Sequence, residues 1–229
     1  MNRQTGFTLI EIAIVMVIIG LLLGGVLKGQ ELITSAGIRN LISQLDGVKA
    51  AYFGFLDRFR YPPGDYSMAT TYVAGTTTNG NGNGQIQSVL SGGTVDEHIA
   101  VWEHLSRAGF INRAFTYAPA PETPGSAPKT SYSGYAQLIY DNVYGAGGGS
   151  MRHNFKTGNL VSSLILAEID RKIDDGNPVG GVFQFSTYNG GAGGIAPTAT
   201  GAGGCYTAGP TPYWGSPYVT NCGAATLLQ

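Results

Sequence analysis

The chain has 229 residues, in which 13 Lys and Arg face 14 Asp and Glu for a formal net charge of −1. That near-balance, without a long run of either sign, gives no support to a phosphate-tracking surface or a specific nucleic-acid site. Charged residues are only 12% of the chain while glycine supplies 36 positions and tyrosine 13, so hydroxyls, amides and exposed backbone must hydrate the surface.

Met1 to Gly6 is polar and carries Arg3. From Phe7 to Leu27 the sequence reads FTLIEIAIVMVIIGLLLGGVL, with Glu11 as its only charge. A helix of about 21 residues rises about 31 Å, enough to cross a hydrocarbon layer. Basic charge ahead of the span favours a cytoplasmic N-terminus and an exported remainder. A cleaved secretory signal fits less well: its apolar block is usually about 7 to 15 residues, and no small-x-small site follows here. Glu11 is expensive in hydrocarbon unless partnered, which marks it as a functional residue. Cleavage after Gly6 would create an amine on Phe7, one helical turn before Glu11. Pairing that amine with the carboxylate, on the same or a neighbouring chain, cancels both charges.

Gly6 followed by FTLIE resembles the processing motif of type IV prepilins and type II secretion pseudopilins. The resemblance implies that a prepilin peptidase cuts between Gly6 and Phe7 and methylates the new amine, and that Glu11 sets subunit registration. It further implies identical or related pilin subunits, an inner-membrane assembly platform and the lipid bilayer as partners. The precursor would be a single-pass inner-membrane protein with its head in the periplasm. The processed chain would enter an extracellular pilus or, in the pseudopilin alternative, a periplasmic filament. Lys28 stands where many type IV pilins have a helix-kinking proline. The implied fold class is α+β: a long N-terminal helix with a small antiparallel-sheet head and long loops.

Beyond the apolar span, Ile38, Leu41, Ile42, Leu45, Val48, Tyr52, Phe55 and Phe59 recur in steps of three and four, one stripe of a helix. The spacing predicts one helix over residues 7–59, roughly 80 Å long. The expected organisation is a leader at 1–6, a membrane and filament-core half at 7–27, an amphipathic half at 28–59, and a head at 60–229. RYPPGDY at 60–66 stops the helix. Residues 75–93 read as a flexible excursion. Thr94 and Glu97 have capping-box spacing ahead of a helix lined by Ile99, Trp102, Leu105 and Phe110. Residues 115–131 read as a loop, 132–144 as a strand region, and 179–187 as a short strand. Asn159 is the expected cap of a helix from Leu160, with Leu164, Ala167 and Arg171 on one face, ending after Asp175. The stretches WEHLSRAGFI and IDRKIDDGNPVGG resemble segments of prepilin-like proteins.

The 190–229 tail reads as a loop without a large core element. Its two cysteines, Cys205 and Cys222, can close a disulfide in an oxidising compartment, with a reduced pair as the alternative. Tyr206, Tyr213, Trp214 and Tyr218 are candidate surface contacts, with packing against the head as the competing role. His98, His104 and His153 lack metal-pair spacing, and Asp174, Asp175 and Asn177 lack that of an EF-hand. No nucleophile, base and acid combine into a triad, so neither an enzyme nor a cofactor is expected.

Overall fold

The computed structural model describes residues 8–89, 95–132, 134–215 and 218–228. The chain divides into two compact units, Met1–Arg39 and Asn40–Gln229. Helix α1, Leu9–Phe59, supplies the described part of the first unit and the opening of the second. From Leu9 to Lys28 every residue is exposed although almost all are apolar. Such a surface, apolar all round, belongs in lipid or against other protein.

In the second unit α1 becomes one-sided, burying Leu41, Leu45, Val48, Tyr52 and Phe55. Arg60 ends the helix in the left-handed region at φ 62°, and Pro62 and Pro63 prevent its continuation. Gly64 follows at φ 89°, where an added Cβ would lie 2.4 Å from the Glu97 carbonyl oxygen. The close approach of this turn to the next long helix therefore requires glycine.

After the short α2, Ala69–Tyr72, come α3, Glu97–Arg107, and the strands β1, Gln137–Asp141, and β2, Arg152–Lys156. Helix α4, Ser163–Ile173, precedes β3, Phe183–Phe185; the small pair β4, Tyr206–Thr207, and β5, Tyr213–Trp214, leads to β6, Ala224–Leu227. The main sheet has the order β1-β2-β6-β3 and is antiparallel throughout. Its register sets Leu138 opposite Phe155 and places Thr226 opposite both Phe155 and Phe183. Trp102 of α3 meets Phe155 edge-on at 6.4 Å between ring centroids, so the helix covers the sheet through aromatic contact. The fold is the expected α+β arrangement, a long helix with a small antiparallel head.

Several local expectations need correction. The tail does contain a core element: β6 is buried along its whole length and sits between β2 and β3. Strand β2, RHNFK, lies in a stretch the pattern left unassigned. The α4 cap is Ser162, whose hydroxyl accepts from the Leu164 N–H at 3.2 Å. Asn159 is instead buried and donates to the Ile195 carbonyl at 3.1 Å, while Leu160 takes φ 65° outside the helix. Consequently the buried face of α4 is Leu166, Ala167, Ile169 and Asp170, and Leu164 is 57% exposed.

The 75–93 excursion is anchored rather than free across its described part. Asp65 accepts N–H groups from Gly82, Asn83 and Gly84, and Glu97 accepts those of Asn81 and Gln87. Glu103 takes the N–H groups of Thr77 and Tyr117. Glu97 therefore acts as a loop anchor; Thr94, its expected capping-box partner, lies outside the described residues. Asp96 occupies the N-cap position of α3.

Candidate functional site

Gly6 and Phe7 lie outside the described residues. Immediately after them, the Thr8 N–H donates to Glu11 Oε2 at 2.7 Å, and the Glu11 N–H donates to Thr8 Oγ1 at 3.3 Å. The Thr8 hydroxyl also reaches Glu11 Oε2 at 2.8 Å. This reciprocal arrangement is a capping box, satisfying donors that a helix start leaves open. The T-L-I-E spacing announces it, a local role for Glu11 beside the expected pairing with an amine and the implied subunit registration. The carboxylate thus lies at the first turn of α1, beside Thr8. By length and composition α1 can cross a membrane, with an 18-residue window of mean hydropathy 2.7 that is 0% buried.

Cys205 and Cys222 are joined as a disulfide with a Cα–Cα distance of 5.6 Å. Cys222 also exchanges backbone hydrogen bonds with Val161, at 2.9 and 3.0 Å, so the covalent link ties the tail loop to the chain entering β6. The four aromatic residues of the tail divide. Tyr206 packs against Phe185 at 5.3 Å between centroids, and Trp214 donates its indole N–H to Asp170 at 2.7 Å; both are buried. They are packing residues, because each closes on the sheet or on α4. Tyr213 and Tyr218 are 50% and 58% exposed and remain available at the surface. Tyr218 lines a cavity of about 500 Å³ together with Thr200, Thr207 and several glycines.

The three histidines and the acidic turn after α4 all lie against structural neighbours. His104 Nδ1 accepts from the Gly64 N–H at 2.9 Å, which assigns the proton to Nε2, facing the Thr78 carbonyl at 3.1 Å. His98 lies between Asp96 and Glu122, and His153 packs on Tyr52 and Tyr140. Burial pushes all three imidazoles below their ordinary range, His153 down to about 4. Asp170, Asp174 and Asp175 bring carboxylate oxygens within 4.8 Å of one another. Asp170 already accepts from Trp214 and Gly176, and Asp174 from the N–H groups of Val182 and Phe183. Burial raises the Asp170 carboxyl to about 6. The cluster serves as the stop of α4 and the start of β3. Asn177, expected beside it, turns its own amide oxygen to the Val179 N–H.

In comparison with known proteins, residues 1–27 match the prokaryotic N-terminal methylation motif. No curated protein and no solved structure matches the chain. The matched motif runs into an exposed apolar helix, and that helix leads to a disulfide-bonded head. Together these features support a membrane-anchored precursor with a pilin-like or pseudopilin-like structural role. The N-terminal region matches the prepilin methylation motif and, with the long helix and small antiparallel head, is consistent with the type IV pilin and pseudopilin family.

Proposed function

We propose that the chain is a subunit of a type IV pilus or pilus-like filament, cut between Gly6 and Phe7 and assembled through its N-terminal helix. The observation that carries this reading is the methylation motif joined directly to a helix whose apolar surface is uncovered on every side. A single anchor needs only lipid around it; an acid at its first turn gains a purpose when neighbouring chains bring an amine to it. The disulfide-closed tail, with Tyr213 and Tyr218 exposed, supports display outside the cell. The second reading, a secretion pseudopilin, is favoured by Lys28 in place of a kinking proline and by the acidic turn at Asp174.

Processing is tested by N-terminal mass analysis of membrane and filament fractions. The expected product starts at Phe7 and carries one methyl group, and substitution of Gly6 leaves the uncut precursor in the membrane. A mature chain retaining Met1 would remove the reading.

A further inference from the structure

The segment NGNGNG, residues 79–84, strings three Asn-Gly pairs together, and all three asparagines are exposed. In an Asn-Gly pair the glycine has no side chain to keep its nitrogen from the preceding amide carbon. The nitrogen attacks the asparagine Cγ, ammonia leaves, and water opens the resulting succinimide ring to aspartate or isoaspartate. The reaction requires the glycine N–H to lose its proton and the nitrogen to turn toward the asparagine side chain.

One buried carboxylate opposes both steps. Asp65 is 0% exposed; its Oδ1 accepts the Gly82 N–H at 2.8 Å and the Asn83 N–H at 3.0 Å, and its Oδ2 accepts the Gly84 N–H at 2.8 Å. The Gly82 N–H also reaches the Asp65 carbonyl oxygen at 2.9 Å. Charge-assisted hydrogen bonds hold each glycine nitrogen in place, and a negative acceptor makes its proton harder to lose. The asparagine amides are engaged as well: Asn81 Oδ1 accepts the Asn83 N–H at 2.9 Å, and Asn83 Oδ1 accepts that of Gln85 at 2.9 Å. Each amide is thereby turned to the nitrogen two residues on, not to the one with which it would react. Gly80 is held differently, by donation to the Tyr66 carbonyl at 3.1 Å. We propose that Asn81–Gly82 and Asn83–Gly84 are latent deamidation sites kept closed by the Asp65 carboxylate. Each conversion would add a carboxylate to an exposed loop of a chain whose formal net charge is −1, so Asp65 protects the sparse charge of this surface.

The test is ageing of the detergent-solubilised full-length chain at mildly alkaline pH, with peptide mapping by mass spectrometry to follow amide-to-acid conversion at each asparagine. Asp65→Asn is nearly isosteric but removes the charge and one of the two acceptor oxygens. It should speed conversion at Asn81 and Asn83 by about tenfold or more, the scale of a lost hydrogen bond to a charged group. A fourth pair, Asn189–Gly190, is held within its own turn through the Gly191 N–H and the Gly194 carbonyl, and should stay within about twofold of wild type. Unchanged rates at Asn81 and Asn83 would overturn the proposal. An equal rise at Asn189 would overturn it too, assigning the protection to the folded head as a whole. The wild-type chain provides a check that needs no variant: conversion at Asn81 and Asn83 should be about tenfold or more slower in the native chain than in urea, and equal rates would overturn the closed state of both sites.

Discussion

His153 shows how a single buried group ties the head to pH. Its ring is packed between Tyr52 and Tyr140, its Nε2 accepts from the Ile86 N–H at 3.3 Å, and desolvation holds it near 4. An imidazole depressed in the folded state leaves the unfolded chain binding more protons between about 4 and 6.5. Its stabilising contribution is therefore complete above about pH 6.5 and declines as pH falls toward 4. Asp170, raised to about 6, works in the opposite sense over part of that window, so the total pH profile mixes the two. Comparison with His153→Gln isolates the histidine, because the amide keeps an acceptor and cannot take up a charge. The difference in unfolding free energy between the two proteins should shift by up to roughly 3 kcal/mol in favour of the variant between pH 7 and pH 4. Urea unfolding of the detergent-solubilised chain at both pH values measures it, and a pH-independent difference would contradict the assignment. At the other end of the chain, Glu11→Val removes both halves of Glu11's role: the Thr8 capping partner and, in the filament reading, the carboxylate that meets the amine of Phe7. We expect a normally oxidised head and membrane insertion, with filament yield from E11V-only cells reduced by about tenfold or more. Wild-type yield would refute the role.

Among the elements, β6 is the one whose identity depends most on distant partners, and the disulfide fixes the chain just before it. Cys222 is the last residue of the bridged loop, paired with Val161, and Ala224 begins the strand two residues later. Replacing both cysteines by serine should destabilise the head by about 3 kcal/mol on the loop-closure relation. Hydrogen exchange should rise first at Val161 and Cys222, with β6 itself retained; an unchanged urea midpoint would show that the bond restrains nothing. The same element explains what the sequence made legible. Helix α1 announces itself because its three-four periodicity is local and uninterrupted up to Pro62. Strand β6, with the residues Ala-Ala-Thr-Leu, has no apolar run; it becomes a strand through pairing with β2 and β3. Strand β2 hides for a different reason. Its Asn154 and Lys156 are buried polar residues whose side-chain nitrogens donate to Asp141 of the neighbouring strand, and no alternation pattern anticipates an ion pair between two strands. The α4 start was displaced because Asn159 and Ser162 are both good caps, and only the tertiary bond from Asn159 to Ile195 decides between them. The motif at Gly6, Phe7 and Glu11 was readable from linear order alone, whereas the division of the tail aromatics into packed and exposed members required the sheet and α4.

For the whole molecule, the choice between a surface pilus and a periplasmic pseudopilus turns on the second unit, because the membrane helix and Glu11 are common to both. A displayed fibre must tolerate repeated contact with its surroundings without strong charge attraction. The head's sparse charge, its glycine-rich loops and the exposed rings of Tyr213 and Tyr218 on a disulfide-closed tail suit that task. A secretion piston needs no outward-facing aromatic surface, and substitutions there should leave it unaffected. We therefore expect antibody or affinity labelling of intact cells to find the chain on long fibres, in amounts that fall to background in the deletion strain and in E11V cells. Tyr213→Ser with Tyr218→Ser should keep fibre number within about twofold, since the two rings are exposed and surface substitutions of this kind change stability little. Contacts made by the fibre surface should weaken in that variant. Labelling confined to the periplasm, accompanied by loss of secreted proteins in the deletion strain, would select the pseudopilin reading instead. Isolated membrane monomers, alike in wild-type and E11V cells, would dismiss both filament readings and leave a tethered head.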